Sequence, residues 1–250
     1  VRSDPTASVI LFPGEVIDRS ERASPQILQL LRSAIIDFRL EPNQPISENE
    51  VAEALGVSRT PVREAFLRLA EEGLLLPYPQ LGTFVAPISR AALLQAQFLR
   101  EAVECAMARR AAEMCTGEGA LRLKHLLERH QAALDNGDTE AFYRLDELTH
   151  HEICLQSGNP DIWGAVAQAR GHLDRARRLS LPDDRSSTRV LAQHAEVIEA
   201  ISTRNGAAAE ASMRRHLVSL IDIMDDLEAR YSQYFKLDIS GPQPRRQRRS

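Results

Sequence analysis

The sequence predicts a mainly α protein: three short helices and a small β-hairpin, followed by an all-α bundle. Three observations carry this. Apolar residues recur at helical spacing almost throughout, the period changes to extended only between residues 74 and 87, and Gly, Pro and Asn breaks then divide the rest into helix lengths. A chain of 250 residues, 43% hydrophobic and 26% charged, has length for two ordinary domains and the balance of a folded one.

The first helix is read from Ile27, Leu28, Leu31, Ile35 and Phe38, and Pro42 and Pro45 end it. A second starts at Ser47, with Glu50 three residues on as a capping box, and stops at Gly56. Ser58 opens a third that runs to about Glu72, where Pro61 falls in the tolerant first turn. LLLPY (74–78) and TFVAP (83–87) are strand candidates around Pro79-Gln80-Leu81-Gly82, weakened by their prolines. From Ser89 to Phe235, breaks at 116–119, 135–138, 157–160, 181–187 and 205–206 leave about six helices. The domains expected are a flexible extension over 1–24, a first domain over 25–88, a helical domain over 89–235 and a basic flexible tail over 236–250.

Several classes are disfavoured. No apolar run approaches a membrane span and the first 24 residues lack the order of a signal peptide, so a cytoplasmic protein with no membrane partner is expected. Cys105, Cys115 and Cys154 are odd in number and widely spaced, as reduced core thiols would be. The four arginines of 241–250 read first as a solvated terminus and second as extra phosphate attraction.

The second and third helices meet across Ala52, Gly56, Val57 and Val62, small enough for a helix-turn-helix joint. The N-terminal residues of the third, Ser58, Arg59, Thr60 and Arg63, can then face base edges, where a guanidinium fork matches guanine or clamps a phosphate. Net charge does not help: residues 25–88 hold five arginines against eight acids, so any attraction to DNA is local to one face.

In the bundle, Phe142, Asp146, His150 and Ile153 share one helical stripe. Val190, Leu191, His194, Val197, Ile198 and Ile201 form another, and Met213, His216, Leu217, Leu220 and Met224 a third. His194 and His216 lie eleven and ten residues from the Asn205-Gly206 turn, so an antiparallel pair sets them level, about 15–17 Å from its tip. Each histidine alone reads as an ordinary core residue; three imidazoles and a carboxylate converging read as a metal site. His125, His130, His151 and His172 read as peripheral, with His151 the substitute for His150 if the helix is rotated. Trp163 reads as core.

The order helix, proline-rich turn, capped helix, G-V-S-R-T-P-V-R-E-A, E-E-G-L and G-T-F-V-A resembles the winged helix-turn-helix of the GntR family of bacterial transcription regulators over residues 25–87. The resemblance implies DNA contacts by Asn49, Ser58, Arg59, Thr60, Arg63 and Gly82. Position 49 is Asn where relatives often carry Arg, and the wing turn lacks the basic residue often found there. Residues 89–235 resemble the FCD domain of the same family's FadR branch, whose metal-binding members use an Asp-x-x-x-His and two later histidines. Asp146, His150, His194 and His216 match that pattern, with Thr149 a departure. The resemblance implies a divalent ion (zinc, nickel or manganese), a small carboxylate effector met by Arg100 with Glu104 beside it, a homodimer, and pseudo-palindromic double-stranded operator DNA. The alternative is a metal-dependent enzyme acting on a small organic acid, although no H-E-x-x-H or nucleophile motif accompanies the site.

Overall fold

The structure, a computed structural model, describes Phe12, residues 14–180 and residues 184–236. It divides into two compact units: residues through Ser89 together with those from Tyr231 onward, and Arg90–Arg230.

In the first unit, α1 (Ala23–Ile36), α2 (Glu48–Leu55) and α3 (Arg59–Glu71) pack around Ile27, Leu31, Ile35, Val51, Val62, Phe66 and Leu69. Ser47 caps α2 by accepting from the Asn49 amide at 3.2 Å. Gly56 closes α2 in the left-handed conformation, φ 62°, which turns the chain sharply into α3 and suits a residue without Cβ. Ser58 stands at the N-cap of α3 with extended backbone but makes no side-chain cap bond, unlike the cap expected of it.

The wing is a three-stranded antiparallel sheet of β1 (Pro45–Ile46), β2 (Leu75–Tyr78) and β3 (Gly82–Val85), in the order β1-β3-β2. β2 and β3 pair from Leu75 with Val85 to Tyr78 with Gly82. β1 was read from sequence as part of a break. It pairs Pro45 with Phe84 and Ile46 with Thr83. Pro45 and Pro77 both lie on outer strands, where a missing N–H costs least, and β3 between them has no proline.

Two boundaries differ from the sequence reading. Phe12 and Ile17 are buried in the first unit's core, so the expected flexible extension is anchored at two points, while most of its other described residues are exposed. Tyr231–Phe235, assigned by sequence to the bundle, groups with the first unit: Tyr234 stacks on Phe38 with ring centroids 5.0 Å apart, and its carbonyl accepts from the Ile88 amide at 2.7 Å. Residues 1–11, 13 and 181–183 and the basic tail beyond Lys236 lie outside the described residues.

The second unit is helical throughout among the described residues: α4 (Arg90–Met114), α5 (Gly117–Asp135), α6 (Thr139–Gln156), α7 (Ile162–Ala169), α8 (Gly171–Ser180), α9 (Asp184–Ser202), α10 (Gly206–Val218) and α11 (Met224–Arg230). α12 (Ser232–Phe235) belongs to the first unit. Thr116, Asp138 and Asn205 each accept an amide N–H of the helix that follows, which fixes three of the expected breaks. The six expected helices become more because the chain also breaks at Arg170 and after Val218. α4 is the central element, packed on α6, α8, α9 and α10, and α5 packs on α6 and α9. Cys105, Cys115 and Cys154 are buried free thiols. No helix among the described residues is long and apolar enough to cross a membrane.

Candidate functional site

In the first unit the six residues expected at DNA are all exposed: Asn49 on α2, Ser58, Arg59, Thr60 and Arg63 at the start of α3, and Gly82 where β3 begins. Val62, Ala65, Phe66 and Leu69 anchor the opposite face of α3, so the arginines have a rigid base. Arg59 is 66% exposed and lies 3.4 Å from Glu48, an exposed ion pair of small energetic weight that a phosphate can replace. At the wing tip Leu81 is exposed, and Gln80 takes a positive φ of 65°.

In the second unit, Asp146 and His150 (α6), His194 (α9) and His216 (α10) are all buried, and each offers a ligand atom within 4.8 Å of the others. The α9–α10 hairpin does set His194 and His216 level, with ring centroids 4.5 Å apart. The hydrogen-bond chemistry tests whether an ion fits. His150 Nδ1 lies 2.6 Å from a Glu104 carboxylate oxygen, and His216 Nδ1 lies 3.2 Å from the Gln193 side-chain oxygen. Both neighbours are acceptors, which favours a proton on Nδ1 of each ring. The two Nε2 atoms then face each other with lone pairs at 3.1 Å, an arrangement that needs a proton or a cation between them. His194 Nε2 is buried with no hydrogen-bond partner, 3.6 Å from Asp146 Oδ1. Three imidazole nitrogens and a carboxylate with such unmet demand suit a divalent ion of the zinc, nickel or manganese kind.

Each ring is also held from behind. Besides Glu104 and Gln193, His130 on α5 places Nδ1 3.4 Å from His194 Nδ1. His130 is fully buried against Phe142 and is not peripheral as its sequence position suggested. With Nε2 of His194 turned to the ligand cluster, its Nδ1–H donates to His130, which fixes ring and tautomer together. His125 and His151 stay outside the cluster; His151 lies beside Trp163, 5.8 Å between centroids. Trp163, read as core, is half-buried and carries the Arg170 guanidinium over its face at 4.6 Å.

Burial first, then His216, His150 and His130 around His194, and His150, Arg100 and Arg177 around His216, hold both rings well below the usual histidine range, so both are neutral and able to ligate at neutral pH. Burial alone would favour protonated Glu104, but Arg100 and His150 keep it well below the carboxylate range. Arg100 is bonded to Glu104 at 2.5 Å and lies 3.5 Å from His150 Nε2, at the outer limit of a hydrogen bond. Arg177 on α8, which the sequence reading did not single out, contacts the second oxygen of Asp146 and pairs with Glu147 at 2.9 Å. Burial pulls Arg177 down to about 10, so it stays cationic. Its signal in sequence was only a basic residue in the last turn of a strongly amphipathic helix.

Comparison with known proteins fits both halves. The model of bacterial regulatory proteins of the gntR family matches residues 23–85, and the FCD domain model matches residues 95–219. An HTH-type transcriptional regulator in an unstable DNA locus of Streptomyces ambofaciens is 38% identical, over 86% of this chain and 91% of its own. The HTH-type transcriptional repressor RspR of Escherichia coli is 32% identical, over 88% and 96%. Among solved structures, Escherichia coli McbR/YncC superposes with a TM-score of 0.71 at 22% identity, covering 83% of this chain and 98% of that one, a likeness of fold.

Proposed function

This chain belongs to the GntR family of bacterial regulatory proteins and carries its FCD domain, and from that premise we propose a homodimeric repressor released by a small carboxylate. A DNA-binding transcription regulator, not an enzyme, is what its family and relatives are. The finer reading rests on one observation above all: two imidazole lone pairs facing at 3.1 Å beside a partnerless His194 nitrogen and a carboxylate.

In this reading Asp146, His150, His194 and His216 hold a divalent ion, and Glu104, His130 and Gln193 orient the rings. Bound there, such an ion would supply a Lewis-acidic centre able to take an effector carboxylate. Arg100 lines the adjoining cavity and keeps Glu104 ionised. On the DNA side, Ser58, Arg59, Thr60 and Arg63 meet a major groove, Asn49 supports them from α2, and Gly82 lets the wing backbone approach closely. Two copies read half-sites about 34 Å apart, which makes the operator pseudo-palindromic. The exposed i, i+4 stripe of Leu94, Phe98, Ala102 and Ala106 on α4, with Phe98 76% exposed, supports pairing of two copies through the helical unit.

Repression as the sign rests on the printed name of RspR. The test is fluorescence anisotropy on operator duplexes selected from a random pool by the metal-loaded protein. Small carboxylates should weaken binding about 5–150-fold, the usual span of allosteric coupling. Binding indifferent to the metal and to every acid tried contradicts the reading.

A further inference from the structure

The charge lining the site specifies the effector's class, given the metal-held carboxylate proposed above. Arg177 touches Asp146, pairs with Glu147 at 2.9 Å and lies 3.7 Å from Asp174. Arg170 contacts Glu147 and pairs with Asp174 at 3.2 Å. Arg100 and Glu104 join at His150. In these pairs three guanidiniums meet four carboxyl groups, one negative charge in excess before the imidazoles are counted. A divalent ion would reverse that to one positive charge, in a place where most flanking side chains are under 10% exposed and unbalanced charge is costly.

A cavity of about 40 Å³ runs from Asp146 and His216 past Arg100, Arg177 and Arg189. Arg189, on α9, is a further cation; among the described residues it bonds the Ser219 carbonyl at 3.4 Å, which occupies a donor without cancelling the charge. Counted together with Arg189, an exposed residue that also lines the cavity, the ion-loaded set carries two positive charges. Two of its three lining serines commit their protons elsewhere: Ser180 donates to the Arg177 carbonyl and Ser219 to the His216 carbonyl, each at 2.7 Å. Recognition there falls to guanidiniums, which bind acids in preference to neutral hydroxyls.

We propose that the effector is a small acid bearing two negative charges, one group held on the metal side of the cavity and the second met by Arg189. A cavity of about 40 Å³ holds roughly one water. An acid of that size therefore needs the cavity to widen, and its carboxylates offer the guanidiniums of Arg177 and Arg189 replacement partners as it does.

The test is isothermal titration of the zinc-loaded full chain with acetate and lactate against malonate and malate, and with inorganic phosphate. Native mass measured after each titration checks that the ion is retained, since diacids also bind free zinc. The two-charge carboxylates should bind at least tenfold tighter than the one-charge acids, about 1.4 kcal/mol. Weak phosphate beside tight malonate supports two separated acid groups, whereas phosphate binding like malonate reports charge alone and overturns the two-group proposal. Arg189→Gln should erase the preference while retaining zinc and acetate binding, and Arg189→Lys should restore most of it. Equal affinity for both classes, or a preference intact in Arg189→Gln, overturns the proposal and leaves the metal-held carboxylate standing. If the zinc-loaded protein binds neither class, both fall.

Discussion

Removing the metal should cost the helical unit a calculable amount of stability. The ligand set exists only in the folded chain, because residues 146, 150, 194 and 216 come from three helices brought within 4.8 Å. An ion that binds the folded state alone stabilises it by about 2.7 kcal/mol when present at a hundred times its dissociation constant. The unit spans Arg90–Arg230, 141 residues. At about 2.1 cal/mol/K per residue its unfolding entropy is about 0.3 kcal/mol/K, so chelation should lower Tm by roughly 9 °C. Circular dichroism at the helical band, on chelated and zinc-loaded full chain, reads this directly. The same titration on His194→Ala supplies the control: the variant loses a ligand, and the shift should shrink to a degree or two. A full shift persisting in His194→Ala, or wild type melting alike with and without metal, refutes the reasoning.

Arg59→Ala and Arg63→Ala should each weaken operator binding about 10–100-fold, the cost of one guanidinium contact to a base or phosphate, with the circular dichroism spectrum unchanged; anisotropy checks it. His130→Phe should lower metal affinity about 10–100-fold by depriving His194 Nδ1 of its acceptor, while His130→Asn should recover part of it, measured by competition with a zinc indicator. In the chelated protein, burial lowers His130 to about 4 and sets His194 and His216 well below the ordinary value of 6.5. The unfolded chain binds these protons first, so stability is full above pH 6.5 and falls as pH drops from there toward 4, which urea midpoints at several pH values will show. His130 alone contributes on the order of 3 kcal/mol to that fall.

How much was legible from sequence follows from what each signal depends on. Helical stripes report burial of one face, so Asp146, His150, His194 and His216 could be placed in the core before any coordinates, and the Asn205-Gly206 turn fixed the level of two of them. The partners behind the rings depend on how whole helices rotate against each other. His130 does share a helical stripe with Leu123, Leu127 and Ala133, a signal the peripheral reading passed over, whereas His125, five positions earlier, has Arg122, Glu128 and Arg129 as its helical neighbours. Arg177 reads as a solvated arginine until α8 packs its charged face inward. In the first unit, turn chemistry announced α2 and α3, but β1 is only two residues long and contains a proline. It exists because β3 offers a partner edge, a tertiary cause. The break at Arg170 was not among the expected ones, a lone Gly171 being a weak signal within a helical pattern.

Native mass spectrometry of the full chain, purified without chelator, tests the central claim most directly. It predicts one divalent ion for every chain, and a chain mass free of ion for His194→Ala expressed and purified in the same way. An ion-free wild type under metal-replete growth, or an ion count unchanged in the variant, would contradict it.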